Sequence, residues 1–224
     1  MNDLKLVIGN KNYSSWSLRP WLFLKFFNIP FEEEMIFLYE KETEEKVQPY
    51  FSNGKVPILV DSTQGEDFRI WDSLAIIEYA NDRFLNQQGW PKDVQARAIA
   101  RAISAEMHSG FFALRNALGM DCKKHFPNHP IPDDVQQEVD RIIDIWTYCK
   151  QHYGANGPWL FGDFSGADAM FAPVALRLSI YDVKVSRFIS EYIETILHNK
   201  HMKNWIEAGK QETQIIDFNA ISIG

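Results

Sequence analysis

Along the first third of the chain, apolar residues come in short runs divided by polar breaks. Leu4–Gly9 (LKLVIG) is suited to a short buried strand. Lys11–Arg19 is polar and interrupts it. Pro20–Phe27 (PWLFLKFF) is apolar at helical length, with Ser17 as a cap and Pro20 in a first turn. Asn28-Ile29-Pro30 ends that helix. Phe31–Leu38 reads as a second strand with weaker alternation, and Lys41–Gln48 as an exposed helix. Pro57 opens the apolar run Ile58–Asp61, where a residue without an N–H is tolerated at a strand's start. Thr63–Glu66 turns the chain and Phe68–Trp71 returns, which predicts a hairpin. Asp72-Ser73 then starts a helix through Phe84, with Leu74, Ile77 and Ala80 on one face. The predicted order is β-α-β-α-β-β-α.

From Pro91 the strand signal ends. The spacing predicts one long helix over Asp93–Gly119, another over Asp133–Tyr153, and three more over Ala167–Tyr181, Arg187–Leu197 and His201–Ala208. Pro127–Pro132 and Gly154–Pro158 are breaks. The fold class is therefore α/β followed by all-α, with domains at 1–85 and 91–224 and Asn86–Trp90 between them.

Composition narrows the function. The chain has 23 Lys and Arg against 30 Asp and Glu, a net charge of −7, which disfavours nucleic acid and anionic membranes as partners. No apolar run approaches the ~20 residues of a membrane span, and Asp3 and Lys5 spoil a signal peptide. Two cysteines, Cys122 and Cys149, give neither a disulfide framework nor a Cys-x-x-Cys redox pair. The histidines are scattered without metal spacing, so no metal is expected. A soluble cytoplasmic protein is expected.

Three motifs in order, Tyr13-Ser14-Ser15-Trp16-Ser17-Leu18-Arg19, then Lys55-Val56-Pro57 with Trp71-Asp72-Ser73, then Phe164-Ser165-Gly166-Ala167-Asp168, resemble the glutathione transferase superfamily. The serine-rich first motif is similar to its serine-type, zeta-like bacterial members. The resemblance spans almost the whole chain. It implies a thioredoxin-like N-terminal domain, a C-terminal helical bundle, glutathione as co-substrate and a homodimer. It also implies transfer of the glutathione thiolate to a small electrophile, with peroxidase activity as a companion. One branch isomerises maleylacetoacetate in phenylalanine and tyrosine breakdown; the same fold also serves as a non-catalytic binding module.

The resemblance assigns residues. Ser14, with Ser15 beside it, donates to the glutathione sulfur at a helix start, where the backbone dipole also favours an anion. The Val56-Pro57 bond is cis, so that Val56 pairs with the cysteinyl unit, and Lys55 reaches the glycyl carboxylate. Asp72 takes the γ-glutamyl ammonium and Ser73 its carboxylate. Read as residues alone, the same serines and Asp72 are helix caps, Pro57 is a strand-start proline, and Lys55 is a solvated lysine.

A helical wheel over Asp93–Gly119 places Arg97, Arg101, His108 and Arg115 within about 40° of one another. This is either a basic stripe turned to solvent or a partner, or, with Met107 and Phe111 beside it, one wall of a pocket for an electrophile carrying a carboxylate. Trp16 covers that electrophile or packs on its own helix. Isomerases of the zeta branch carry an arginine late in the helix after the capping box; by spacing that position is Ile180, with Arg177 one turn earlier as a substitute. Ser165 and Asp168 form a capping box with Phe164 as its staple, a structural device whose loss is expected to cost ~0.5–2 kcal/mol. The tail from Gln211 carries Ile215, Ile216 and Phe218, which favour docking.

Overall fold

The computed structural model describes residues 3–50 and 54–216. Four strands, β1 (Leu4–Ile8), β2 (Glu32–Met35), β3 (Ile58–Asp61) and β4 (Phe68–Trp71), form one sheet in the order β2-β1-β3-β4. β1 and β2 are parallel, β1 and β3 antiparallel, and β3 and β4 make the expected hairpin, with Ile58 opposite Trp71. β1 and β3 carry the buried residues. β2 is the charged edge Glu32-Glu33-Glu34, a composition that discourages pairing with another sheet. It stops at Met35, three residues short of the predicted strand.

α1 (Ser15–Phe26) and α3 (Ser73–Phe84) cover one face of the sheet. α2 (Thr43–Val47) covers the other, through Val47 packed with Val7, Ile36 and Ile58. α1 begins earlier than the apolar run suggested. Its cap is Ser14, whose Oγ accepts the Ser17 N–H, so Pro20 lies inside the helix and gives up a backbone bond there. Ser17 is wholly buried instead, its Oγ accepting the Gly9 N–H at 3.0 Å.

After α3 the elements of the described residues are all helices: α4 (Val94–Ser109), α5 (Phe112–Ala117), α6 (Asp133–Tyr153), α7 (Gly166–Ile180), α8 (Arg187–His198) and α9 (Lys200–Gln211). The long helix predicted over Asp93–Gly119 is two. It breaks at Gly110 and Phe111, where Phe111 takes a left-handed φ of 60°. The break is supported from outside the segment: the Glu138 carboxylate on α6 accepts the Ala113 and Leu114 N–H groups that open α5.

α7 is buried from Gly166 to Leu178 and lies between α1 and α4. One continuous apolar core therefore joins Leu6, Phe23 and Ile77 of the first half to Trp146, Phe171 and Trp205 of the second. The segment between the halves is pinned. Gly89 accepts from the Gly166 N–H, and the Trp90 ring presses on Gly166 so closely that a Cβ there would stand 2.6 Å from it. Phe164, just ahead of the capping box, stacks on Phe26 of α1, at 3.8 Å between ring centres.

Candidate functional site

A cleft of about 440 Å³ opens where α1, the start of β3, the end of β4, the start of α3 and α4 meet. It is lined by Trp16, Lys55, Val56, Pro57, Trp71, Asp72, Ser73 and His108. Five predicted binding residues, Lys55, Val56, Pro57, Asp72 and Ser73, thus share one wall. The Val56-Pro57 bond is cis, and the β3 ladder starts only at Ile58, beyond it. Lys55 stands exposed on the rim.

The start of α3 is capped, and it leaves one buried hydroxyl open. Asp72 sits at a φ of 80° and caps the helix, its Oδ1 accepting the Leu74 and Ala75 N–H groups. Its Oδ2 faces His108 Nε2 at 2.5 Å, which ties α4 to the cleft wall. Ser73 is 1% exposed, and its Oγ has no partner among the described residues. A buried hydroxyl left unpaired at a helix N-terminus is costly unless something supplies the missing bond.

Ser14 and Ser15, next in sequence to Trp16 of the cleft, are buried at 6% and 7% exposure and are not among the residues that line it. Ser14 Oγ donates to Ser17 Oγ at 2.8 Å. Rotation of both hydroxyls would let Ser17 donate to Ser14 and free the Ser14 proton. Ser15 Oγ accepts from the Arg177 guanidinium at 3.1 Å. Its own proton therefore stays available, and the adjacent cation strengthens it as a donor.

The predicted second-substrate residues divide. His108 lines the cleft and Trp16 roofs it, with ring centres 5.4 Å apart. Met107 is wholly buried and belongs to the core. Phe111 is buried too, and its remaining surface lines a separate shallow groove with Glu138 and Arg141. The basic stripe divides: Arg101 is exposed, Arg97 is half-buried, and His108 lines the cleft. Arg101 forms a paired fork with Glu78 of α3, Arg97 donates to Pro91 and Lys92 carbonyls, and His108 takes Asp72. Arg115, displaced onto α5, folds back to the Met107 and His108 carbonyls.

Arg115 and Arg177 were expected at the pocket from sequence; what the sequence did not disclose is that Arg19 gathers with them into one cluster of cations beside Trp16. Arg19 lies 4.1 Å and Arg115 4.5 Å from the Trp16 ring centre. Arg177 joins them through Ser15. Arg19 is wholly buried, donating Nε to Met170 O; both of its terminal nitrogens lack partners, as do Arg115 Nε and one terminal nitrogen of Arg177. None of the three forms an ion pair among the described residues. Burial, then repulsion from Arg115 and Arg177, pulls Arg19 well below its ordinary value; burial pulls Arg115 and Arg177 down to about 10. Arginine keeps its charge at neutral pH all the same. Asp72 opposes the shift at Arg19 and Glu138 that at Arg115, but the donors above stay unfilled, and a buried cation with open donors is costly until something completes them.

Neither cysteine competes as a nucleophile. Both are buried, and burial pushes their thiols up to about 12. Among the described residues no three His, Cys, Asp or Glu are grouped to hold a metal ion, and no helix is long and apolar enough to cross a membrane.

The family profile described as "Glutathione S-transferase, N-terminal domain" matches residues 13–83. A "Probable maleylacetoacetate isomerase" of Caenorhabditis elegans is 37% identical over 192 residues, covering 84% of this chain and 86% of that protein. Among solved structures, a glutathione transferase homologue from Burkholderia with bound glutathione superposes with a TM-score of 0.68 at 21% identity, covering 93% and 99% of the two chains. A homologue from Lodderomyces elongisporus, with two glutathione molecules per subunit, gives 0.70 at 16% identity and covers 92% and 99%.

Proposed function

The chain belongs to the glutathione S-transferase superfamily, and from that premise we propose that it activates the thiol of glutathione for attack on a small, carboxylate-bearing electrophile. The observation that carries the reading is the unpartnered Ser73 hydroxyl, buried at the N-terminus of α3 inside the same cleft as cis-linked Val56. The γ-glutamyl carboxylate supplies the bond Ser73 lacks. Asp72 Oδ2, shared with His108, takes the ammonium, while Val56 pairs with the cysteinyl backbone and Lys55 meets the glycyl carboxylate.

The sulfur then lies at the start of α1. A free thiol of this kind ionises near pH ~8.5, so a neutral solution holds little thiolate. Donation from Ser14, supported by Ser15 and the N-terminal dipole of α1, stabilises the thiolate, and its proton leaves to solvent. The sulfur forms a bond to the electrophilic carbon. The electron pair displaced there moves into the activating carbonyl and is quenched by a proton from water. Arg19, Arg115 and Arg177 hold the carboxylate so that the carbon faces the sulfur, and Trp16 covers it.

Isomerisation of maleylacetoacetate is the second reading, favoured by the nematode relative and by the Arg177–Ser15 contact. There the enolate adduct, before it takes a proton, rotates about the former double bond, and its electron pair returns to rebuild that bond as the thiolate leaves. Ile180, at the spacing of the isomerases' arginine, is only half-buried, while Arg177 one turn earlier reaches the active loop. We also infer a cytoplasmic homodimer with functional units at 1–85 and 91–224, which light scattering on purified protein checks for mass.

Titration calorimetry with glutathione, read alongside the ultraviolet absorbance of the bound thiolate, tests the assignment. Wild type is expected to bind and to ionise the bound thiol below pH ~8.5. Ser14→Ala is expected to bind comparably and to lose that ionisation. No binding at millimolar glutathione would sink the enzyme reading; a full effect in Ser15→Ala with none in Ser14→Ala would move the donor to Ser15.

A further inference from the structure

The turn that delivers Ser14 is held from the far end of the chain. Asn10 O accepts the Tyr13 N–H at 3.2 Å and the Ser14 N–H at 2.7 Å, which closes the turn. Its tip, Lys11 and Asn12, points two backbone N–H groups away from that closure. Both are taken by one carboxylate: Glu212 Oε1 accepts from Lys11 at 2.6 Å and Oε2 from Asn12 at 3.1 Å. Gln214 closes a second clamp. Its Oε1 accepts from Asn10 Nδ2 at 2.5 Å and its Nε2 donates to Leu38 O at 2.9 Å, while Asn10 Oδ1 accepts the Leu38 N–H. The Trp205 indole donates to Lys11 O at 2.9 Å, and Ile216 N–H to the Tyr13 hydroxyl at 3.3 Å.

This contact is close as well as polar. A Cβ on Gly209 would stand 3.0 Å from the Asn12 backbone nitrogen, so the last helix meets the turn backbone to backbone. The segment after α9 is thus docked: Ile216 is buried, while Ile215 is exposed. Phe218 lies outside the described residues.

We propose that Glu212 is a positioning residue for the thiol-activating turn, with residues 212–216 acting as a strap that fixes where Ser14 sits. This rests on the assignment of Ser14 as the donor. A carboxylate bidentate on two adjacent N–H groups removes the freedom of the turn. Small displacements of a donor have large consequences for the stabilisation of charge. Among the described residues the strap makes no hydrogen bond to the glutathione-binding residues on the cleft wall, so glutathione affinity is expected to be outside its reach.

The charge of Glu212 and its geometry act on the thiolate with opposite signs, and this makes the proposal testable. A negative charge near the sulfur opposes ionisation; a well-placed Ser14 favours it. Glutathione affinity, the pH midpoint of the bound thiolate, kcat with a neutral test electrophile and Tm are to be measured for wild type, Glu212→Ala, Glu212→Gln and Gln214→Ala. The expected result for Glu212→Ala is a raised midpoint and kcat down about tenfold, with glutathione affinity within about twofold. Glu212→Gln keeps one acceptor and restores part of both. Gln214→Ala, which leaves Glu212 in place, shifts them in the same direction by less, and reports even if Glu212→Ala fails to fold. A lower Tm with unmoved midpoint and kcat overturns the proposal, as does a midpoint that falls, since charge alone would then be acting. A wild type that never ionises bound glutathione overturns the enzyme assignment as well, and is seen before any variant is made.

Discussion

At its N-terminal end α7 buries Asp168, and near its C-terminal end it buries Arg177. Asp168 is wholly enclosed, and all its lone pairs are engaged. Oδ1 accepts from Leu160 N–H at 3.1 Å and Tyr192 Oη at 3.0 Å, and Oδ2 from Ser165 N–H at 2.8 Å and Ser165 Oγ at 3.2 Å. Arg177 also donates twice, to Leu118 O and Ser15 Oγ, yet one terminal nitrogen is left over beside two further arginines with unfilled donors. A charge whose bonds close within the protein serves the fold. A charge whose bonds stay open in a dry setting costs stability and is kept where a ligand completes it. The same reasoning separates Ser165, which is satisfied, from Ser73, which is not.

The largest expected effect breaks the closed end. Asp168→Ala leaves two backbone N–H groups buried without an acceptor, so we expect a loss of about 3 kcal/mol or more in urea unfolding. That exceeds the simple cap value expected from sequence. Glutathione affinity of the folded fraction should not change; a stability loss under about 1 kcal/mol would show that other acceptors replace the carboxylate.

The pH dependence of that end sharpens the comparison. Burial outweighs the four donors and pushes the Asp168 carboxyl up to about 6, from 3.8. Its folded pKa is raised, so the native state holds the proton more tightly than the unfolded chain. The resulting contribution is complete below about pH 4 and is lost as pH rises through about 6. Two pKa units correspond to about 3 kcal/mol. The difference in unfolding free energy between wild type and Asp168→Asn should therefore fall by up to about 3 kcal/mol from pH ~4 to ~7. A flat or rising difference would mean that the hydrogen bonds, rather than burial, set its protonation.

The open end is expected to behave in reverse. Arg19→Met removes a buried charge with two unfilled nitrogens, and only the Met170 carbonyl loses a hydrogen bond and Trp16 that cation. Stability should stay within about 1 kcal/mol of wild type. The effect should appear in kcat/KM, down about tenfold for a carboxylate-bearing electrophile and hardly changed for a neutral one. Equal losses for both electrophiles would make Arg19 a support for Trp16 rather than a holder of anions.

The order of elements was legible in the chain because it is a local property. Alternation, helical period, prolines and caps act within a few residues, and they placed the hairpin, the α6 boundaries and the capping box. The candidate binding wall was legible only through the family resemblance that Lys55-Val56-Pro57 and Asp72-Ser73 carry; read as residues alone they are a surface lysine, a strand-start proline and helix caps. The break at Gly110 and Phe111 was hidden because the acceptor that supports it, Glu138, is on another helix. The basic face of α4 was visible as a period, but its partners Glu78 and Asp72 were not.

Local physics in the sequence by itself therefore determined the two-part architecture, the serine-rich start of α1 and the capped start of α3. Only the tertiary structure decided which buried groups stay unsatisfied. Arg19, Arg115 and Arg177 share no motif or spacing, and Glu212 lies 200 residues from the turn it holds. Burial and hydrogen-bond closure depend on what every other segment places nearby, and no window of sequence contains that sum.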